Sequence, residues 1–420
     1  MSTPTVIIGG GWSGLAAAIS AIQQGQTVHL IESAKQLGGR ARNVQWNDLT
    51  LDNGQHLMIG AYDRMLALMA VIGLNEYTVF TRLPIDITVH DTHYAPLCLS
   101  AKGRLPWPLS IAWQLFRSVG FINLYAITRL QRSIDKILKQ DDISVEAWLK
   151  QYKQSPRLIK QLWEPLCLAS LNTPINQASA HILATVLQES LGKGRVASDL
   201  LIPKVPLADI FATAAAHYIK QHGGTISLQT RAQQLIVNAG ETQAVKLQSG
   251  ELLPTNKVII ACSPSQSARL LATISPITTP NEYPIVTVYL RYQSHIRLGK
   301  AMLGMTGTLS QWIFDRSNQT PGLMAVVISA QGQHEHMDND TLAYHISQEV
   351  HQLFPQIPKT AETSFVIREK RATFASTVNI EQQRPSSQTH IKGLSLAGDY
   401  VANGYPATLE GAIRNGEQAL

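Results

Sequence analysis

The chain has 420 residues, enough for two domains and a sizeable core. Hydrophobic residues make up 45% and charged residues 15%, which excludes a disordered or low-complexity polymer. The formal charge of +6 points to an anionic partner, a phosphate or a membrane surface, but the basic residues are scattered and form no block or stripe, so no nucleic-acid partner is expected.

Met1-Ser2-Thr3-Pro4 leads into Thr5-Val6-Ile7-Ile8, a β-branched run suited to a buried parallel strand. Gly9-Gly10-Gly11-Trp12-Ser13-Gly14 follows and satisfies G-x-G-x-x-G. Leu15, Ala18, Ile19 and Ile22 then recur at helical spacing, Gly25 supplies a stop, and a second strand from Thr27 to Ile31 ends at Glu32. In that order the pieces predict a dinucleotide site. Gly9 permits the tight turn, Gly11 lets backbone approach a pyrophosphate, and Gly14 lets the helix press on the sheet. The helix N-terminus faces the phosphates, and Glu32 is placed to accept from a ribose hydroxyl. An acid there disfavours a 2′-phosphate, hence NADP.

Leu37-Gly38-Gly39-Arg40-Ala41-Arg42 adds two glycines for close approach and a forked guanidinium for phosphate. The polar cluster Asp52-Asn53-Gly54-Gln55-His56 precedes the apolar Leu57-Met58-Ile59-Gly60, a pattern that suits a pocket wall or an ordinary loop. A helix is predicted over Asp63–Ile72. From Leu105 to Leu130 a longer helix places Ile111, Leu115, Val119, Ile122 and Ala126 near one face. Trp107 and Trp113 could sit at an interface, and Arg104, Arg117, Arg129 and Arg132 supply charge. The pattern fits a membrane-lying helix near 107–130 and equally a buried helix of a substrate domain.

His222-Gly223-Gly224 turns into a strand over 225–228. Strands near Gln234–Val237, Ala244–Leu247 and Val258–Ala261 read as a meander returning to the main sheet, followed by a loop containing Pro264. Gly393 to Ala397 reads as a strand closing on Gly398-Asp399. The tail from Gly404 to Ile413 starts a helix, with Pro406 in its first turn and Gly411 for close packing. Such a terminus could stabilise negative charge on a bound ring system. The dinucleotide domain is thus expected to be discontinuous, over 1–80, 222–275 and 372–420, with 81–221 and 276–371 forming a substrate domain.

Cys98, Cys167 and Cys262 are far apart, with no CxxC or histidine spacing. No disulfide framework and no metal are expected, and a reducing compartment fits. With no secretory signal and no apolar run of roughly 18 residues, a cytoplasmic protein is expected, with peripheral contact on the inner face of the cell membrane kept open. Neither Gly192-Lys193-Gly194 nor Gly304-Met305-Thr306-Gly307 has strand–helix framing, so the electron donor is expected to be a separate molecule.

Together the fingerprint, the acid after the second strand, the GGR turn and the late Gly-Asp resemble the amine oxidase and phytoene desaturase superfamily of flavoproteins. Asp52–Gly60, Trp163-Glu164-Pro165-Leu166-Cys167, Leu171-Asn172-Thr173-Pro174 and Ala397-Gly398-Asp399-Tyr400 are similar to its squalene-associated branch, the hydroxysqualene dehydroxylases. The resemblance implies an α/β fold: a Rossmann-like FAD-binding domain with an inserted α+β substrate domain. It implies FAD, a long-chain isoprenoid substrate and reductive removal of the hydroxyl of hydroxysqualene to give squalene. Gly9, Gly11, Trp12, Ser13 and Gly14 would bind the pyrophosphate region, and Glu32 the adenosine ribose. Gly39 and Arg40 would flank phosphate and ribityl, and Gly54, Gln55 and His56 would lie near the isoalloxazine. The backbone of Ala232 would contact adenine. Gly398 and Asp399 would hold the phosphate–ribityl region, and Ala407, Thr408 and Leu409 the pyrimidine edge. Candidates for a proton donor are His56, Glu164, Tyr405 and Glu410. Rival readings are a carotenoid desaturase, an amine oxidase, and a non-catalytic prenyl-binding protein of the same fold.

Overall fold

Five short strands make one sheet, and all run parallel. Their spatial order is Thr225–Ser227, Val28–Ile31, Thr5–Ile8, Val258–Ile260 and Leu394–Leu396. The computed structural model describes residues 3–420 apart from Arg104. Met1 and Ser2 of the N-terminal lead-in, and the Arg104 counted with the basic residues of the long helix, therefore lie outside the described residues. Ile7 sits between Leu30 and Ile259 in register, and all three are fully buried. Covered on both faces, these strands read as continuous apolar runs rather than alternating ones.

The first helix, Trp12–Gln23, owes its small residues to crowding. Ala16, Ala17, Ala18 and Ala21 have no exposed surface, because sheet, tail helix and the Ala212–Gln221 helix press on it from different sides. The tail helix is Leu409–Gln418, and a Cβ at Gly416 would lie 2.2 Å from the Ser13 carbonyl oxygen. Only a glycine lets the two ends of the chain meet this closely.

An antiparallel meander, Ala232–Asn238, Glu241–Leu247 and Leu252–Pro254, leaves and re-enters the parallel sheet as its spacing predicts. The second large sheet has seven strands. Its order is Thr363–Phe374, Glu282–Arg291, Leu323–Ser329, Trp312–Asp315, Met302–Thr306, Asp86–Asp91 and Leu97–Ser100. Every pairing is antiparallel except Met302–Thr306 with Asp86–Asp91. Alternate residues Val286, Val288 and Leu290 pack under the Asn339–Leu353 helix through Leu342, Ile346 and Val350. The intervening Thr287 and Tyr289 therefore face the other way, toward the Asp52–His56 loop.

Four local expectations are corrected. Pro264 opens a helix, Pro264–Leu271, instead of lying in a loop; its missing N–H costs nothing at a first-turn position. The tail helix starts later than Pro406, because Thr408 caps it by accepting from the Gly411 N–H at 3.1 Å. Leu207, Ile210, Phe211, Ala215 and Ile219, placed by sequence in the substrate unit, are buried in the core of the parallel sheet. The long helix, Trp107–Gln131, breaks its phase at Gly120, which has φ +79°. Leu115 and Val119 point inward before the kink and Ile127 and Leu130 after it, so Ile122 is turned out and is 82% exposed. No helix among the described residues is long and apolar enough to cross a membrane.

Candidate active site

Two glycine turns lie backbone against backbone. Gly9 has φ +113°, and a Cβ there would stand 2.5 Å from the Ala261 carbonyl oxygen. A Cβ on Gly14 would fall 2.0 Å from the Gly9 oxygen, and one on Gly39 would reach within 3.1 Å of Gly11 Cα. The Gly38 N–H donates to the Gly10 carbonyl at 2.8 Å, joining the GGR turn to the fingerprint. No side chain caps the helix that begins at Trp12, so its first N–H groups stay available to an anion.

Glu32 holds this turn from below. Its Oε2 accepts the Gly10 N–H at 2.7 Å, and Oε1 accepts the Ala34 N–H at 2.7 Å. The Thr230 N–H donates to the Glu32 carbonyl at 2.8 Å, which brings the turn before Ala232 against the acid. Ala232 is buried, and its carbonyl accepts from Arg269 at 3.2 Å.

The C-terminal segment packs against the GGR turn. Arg40 donates to Asp399 Oδ1 at 2.5 Å and to the Ala372 carbonyl at 2.6 Å. Asp399 follows Gly398, whose φ of +145° and contact with the Tyr400 ring exclude a side chain. Behind the loop lies Arg384, with no exposed side-chain surface. It donates to the carbonyls of Asp399 at 2.9 Å, Tyr400 at 3.3 Å and Tyr405 at 2.8 Å, to that of Val401, and to Asn403 Oδ1 at 3.0 Å. One guanidinium thus satisfies carbonyls that the turn cannot pair with itself. Ala407, Thr408 and Leu409 follow as a half-buried stretch at the start of the tail helix.

On the third side stands the Asp52–His56 loop. Asp52 is buried, its Oδ2 pairs with Arg316 at 2.8 Å, and its Oδ1 accepts the Leu207 N–H at 2.8 Å. Burial raises its pKa despite the pull of Arg316. Gln55 donates to Tyr289 Oη at 2.7 Å, and that hydroxyl donates to the Asp52 carbonyl at 2.8 Å. His56 Nδ1 lies 3.2 Å from the Gly54 carbonyl. A carbonyl can only accept, so Nδ1 carries the proton. Burial lowers the His56 pKa, the Gly54 contact opposes this, and Arg40 pushes the same way as burial. The neutral ring therefore offers Nε2 as an acceptor.

The chain matches the family described as flavin containing amine oxidoreductase over residues 12–419. It belongs to that family. The flavin-containing amine oxidoreductase described here is 28% identical over 426 residues to a hydroxysqualene dehydroxylase of Zymomonas mobilis, covering 99% of this chain and 97% of that protein. A hydroxysqualene dehydroxylase of Rhodopseudomonas palustris is also 28% identical over 426 residues, with coverage of 100% and 98%. Among solved structures, an oxidoreductase from Methanosarcina mazei superposes with a TM-score of 0.77 at 15% identity, covering 100% of this chain and 99% of that one.

As a member of this family the chain is an FAD-dependent oxidoreductase. The residues present fit the cofactor. Two glycine turns that no side chain could share form a cradle, and Ser13 Oγ is buried there without a partner. The Trp12 ring packs on Phe211 with centroids 4.8 Å apart, and its indole Nε1 is buried without a partner among the described residues.

The four proton-donor candidates stand in different surroundings. Glu410 accepts the Arg64 and Met65 N–H groups at 3.1 and 2.9 Å and pairs with Arg414 at 2.7 Å, so both its oxygens are engaged at the start of the Asp63–Val71 helix. Tyr405 donates to Glu189 at 3.0 Å under the Arg414 guanidinium. His56 is the neutral ring already described. Glu164 is half-buried beside the wide turn Ile159–Trp163, where burial raises its pKa against the opposing charge of Lys160 and no hydrogen bond to its carboxyl forms among the described residues. Sequence reasoning missed Arg316, Tyr289 and Arg384. Each is one polar residue in an otherwise ordinary strand or loop, and its partners lie far away in the chain.

Proposed function

We propose that this enzyme reductively removes the hydroxyl of hydroxysqualene to give squalene, as a step toward hopanoids or related triterpenoids. The reading is carried by near-full-length similarity to proteins of that name; Glu164 is a candidate acid whose carboxyl accepts no hydrogen bond among the described residues. Gly9, Gly11, Trp12, Ser13, Gly14 and Glu32 hold the adenosine pyrophosphate end of FAD, with Ala232 at the adenine. Gly39, Arg40, Gly398 and Asp399 hold its middle. Gly54, Gln55, His56, Ala407, Thr408 and Leu409 hold the ring. The chain divides into a discontinuous FAD unit and an inserted substrate unit, with 207–221 assigned to the former because its apolar face is buried there.

When bound, reduced FAD supplies the hydride that replaces the departing hydroxyl. Glu164 gives its proton to the hydroxyl oxygen; the C–O bond breaks, water leaves, and an allylic cation remains. Burial raises the Glu164 pKa above the ordinary carboxyl value, a shift in the direction that suits that task. Leu57 and Ile59, next in sequence to His56, join Ile87, Ile202, Ile285 and Phe314 in a half-buried apolar wall. That wall keeps water from the cation. His56 stays neutral and orders the loop. A hydrocarbon of squalene's length resides in lipid, so the enzyme works peripherally at a membrane, with electrons from a separate donor.

Anaerobic incubation of purified enzyme with hydroxysqualene and chemically reduced FAD tests the reading, with squalene detected by mass spectrometry. Squalene is expected. Unchanged alcohol, with phytoene desaturated in a parallel incubation with oxidised FAD, sinks the reading and favours a carotenoid desaturase, whereas a protein that never takes up FAD favours a binding module. Glu164→Gln should slow squalene formation about 100-fold with unchanged flavin absorbance; undiminished turnover removes Glu164 from the role.

A further inference from the structure

Half of the exposed large apolar side chains of the described structure lie on the kinked Trp107–Gln131 helix or just before it. Leu109, Trp113 and Phe116, 56%, 50% and 41% exposed, project from the arm before Gly120 at helical spacing. Phe121, Ile122 and Tyr125, 71%, 82% and 56% exposed, project from the arm after it. The phase break at Gly120 is what brings Phe121 and Ile122 outward, since an unbroken helix would have turned Ile122 toward the Leu115–Val119 side. A contiguous apolar ridge of this kind on a monomer marks a surface with a partner.

Charge says which partner. From Thr92 to Ile134 the sequence contains no Asp or Glu, while Arg117, Arg129 and Arg132 are exposed along the same helix and its end. Arg129 lies over the Tyr125 ring, its guanidinium carbon 5.9 Å from the centroid. Apolar side chains flanked by cations that form no ion pair among the described residues, in a stretch of sequence with no acid, match the boundary between headgroups and acyl chains of an anionic bilayer. We propose that the Gly120 elbow is the membrane-seating element. Phe121 and Ile122 insert at the bend, the Leu109–Phe116 arm lies along the interface, and the arginines meet anionic headgroups. This deepens the membrane-surface reading given above and rests on it for the location, not for the chemistry.

The test is co-sedimentation of the intact FAD-loaded enzyme with vesicles of phosphatidylcholine alone or mixed with phosphatidylglycerol. Wild type is expected to pellet with the anionic vesicles and far less with the neutral ones. The double substitution F121E/I122E changes only exposed side chains and should release it, since burying either residue is worth roughly tenfold in affinity. R117Q/R129Q/R132Q should lose the preference for phosphatidylglycerol while keeping flavin absorbance and melting temperature. Wild type left in the supernatant of both vesicle types overturns the proposal, as does F121E/I122E pelleting like wild type. So does a dimer in gel filtration that F121E/I122E converts to monomer, because the ridge would then be an interface between copies. The vesicle assay contains no substrate. Seating with no squalene formed refutes the activity alone, and squalene formed from detergent with no seating refutes the ridge alone.

Discussion

Replacing Glu32 separates the bracing that its carboxylate performs from the ribose contact proposed for it. Its oxygens take the Gly10 and Ala34 N–H groups, both at 2.7 Å. Hydrogen bonds to a charged acceptor contribute about 1.5–3 kcal/mol each, and at this half-buried position the lower figure applies, about 3 kcal/mol for the pair. Glu32→Ala should therefore destabilise the apoprotein by a few kcal/mol, read as a lowered melting temperature. It should also weaken FAD about tenfold through the ribose contact proposed for Glu32, with more lost through the loosened glycine turn. Glu32→Gln keeps one acceptor oxygen and presents an amide to the other N–H, so it should fall between. Glu32→Arg places bulk and positive charge at the turn and should abolish flavin retention. Titration of apoprotein by flavin fluorescence and thermal melting of the same samples measure the two effects. A Glu32→Arg variant purified with wild-type flavin content would refute the site, and a Glu32→Ala apoprotein melting like wild type would refute the bracing role.

Breaking the clasp between the two ends should also show in flavin affinity. A double-mutant cycle on Arg40→Ala and Asp399→Asn is expected to give a coupling of about 1–2 kcal/mol, discounted for the 36% exposure of the Arg40 side chain; additive effects would mean the pair is idle. Arg316→Met should cost about 3–5 kcal/mol in urea unfolding, because it leaves the buried Asp52 charge unpaired, and adding Asp52→Asn should recover part of that. Glu410 titrates from the protein at about 7, against an ordinary 4.5, because of burial and the neighbouring Asp63 carboxyl. Across that window the folded chain holds a proton the unfolded chain has released, so stability falls as pH rises, by about 3 kcal/mol at most. Unfolding free energies of wild type and Glu410→Gln should diverge between pH 5 and pH 7 (about the limits set by this shift), and parallel curves would remove Glu410 as the cause.

The parallel sheet and its first glycine turn were readable because their signals are local. Thr5–Ile8, the fingerprint, the Ala-rich helix and Glu32 sit within one short stretch, and each residue type there answers to an immediate neighbour. The tail was readable for a related reason, since Gly398-Asp399 closes a strand of the same sheet. The long helix was found, but its facing was not. A single positive-φ glycine moved Ile122 from the inside to the outside, and no periodicity argument sees where a phase breaks. Pro264 was read as a loop because its adjoining apolar pattern is short. Arg384, Arg316 and Tyr289 stayed invisible because their roles exist only once distant carbonyls and carboxylates are assembled.

The clasp of Arg40 on Asp399, with Gly416 against Ser13, sets an order of events in the cell. A ribosome has already delivered the glycine cradle when more than three hundred residues are still to be made. Until the last strand and helix emerge, that half-built floor has nothing to shut over it. A chain cut short before Leu394 lacks that strand, Asp399 and the Leu409–Gln418 helix, and is expected to purify without flavin colour.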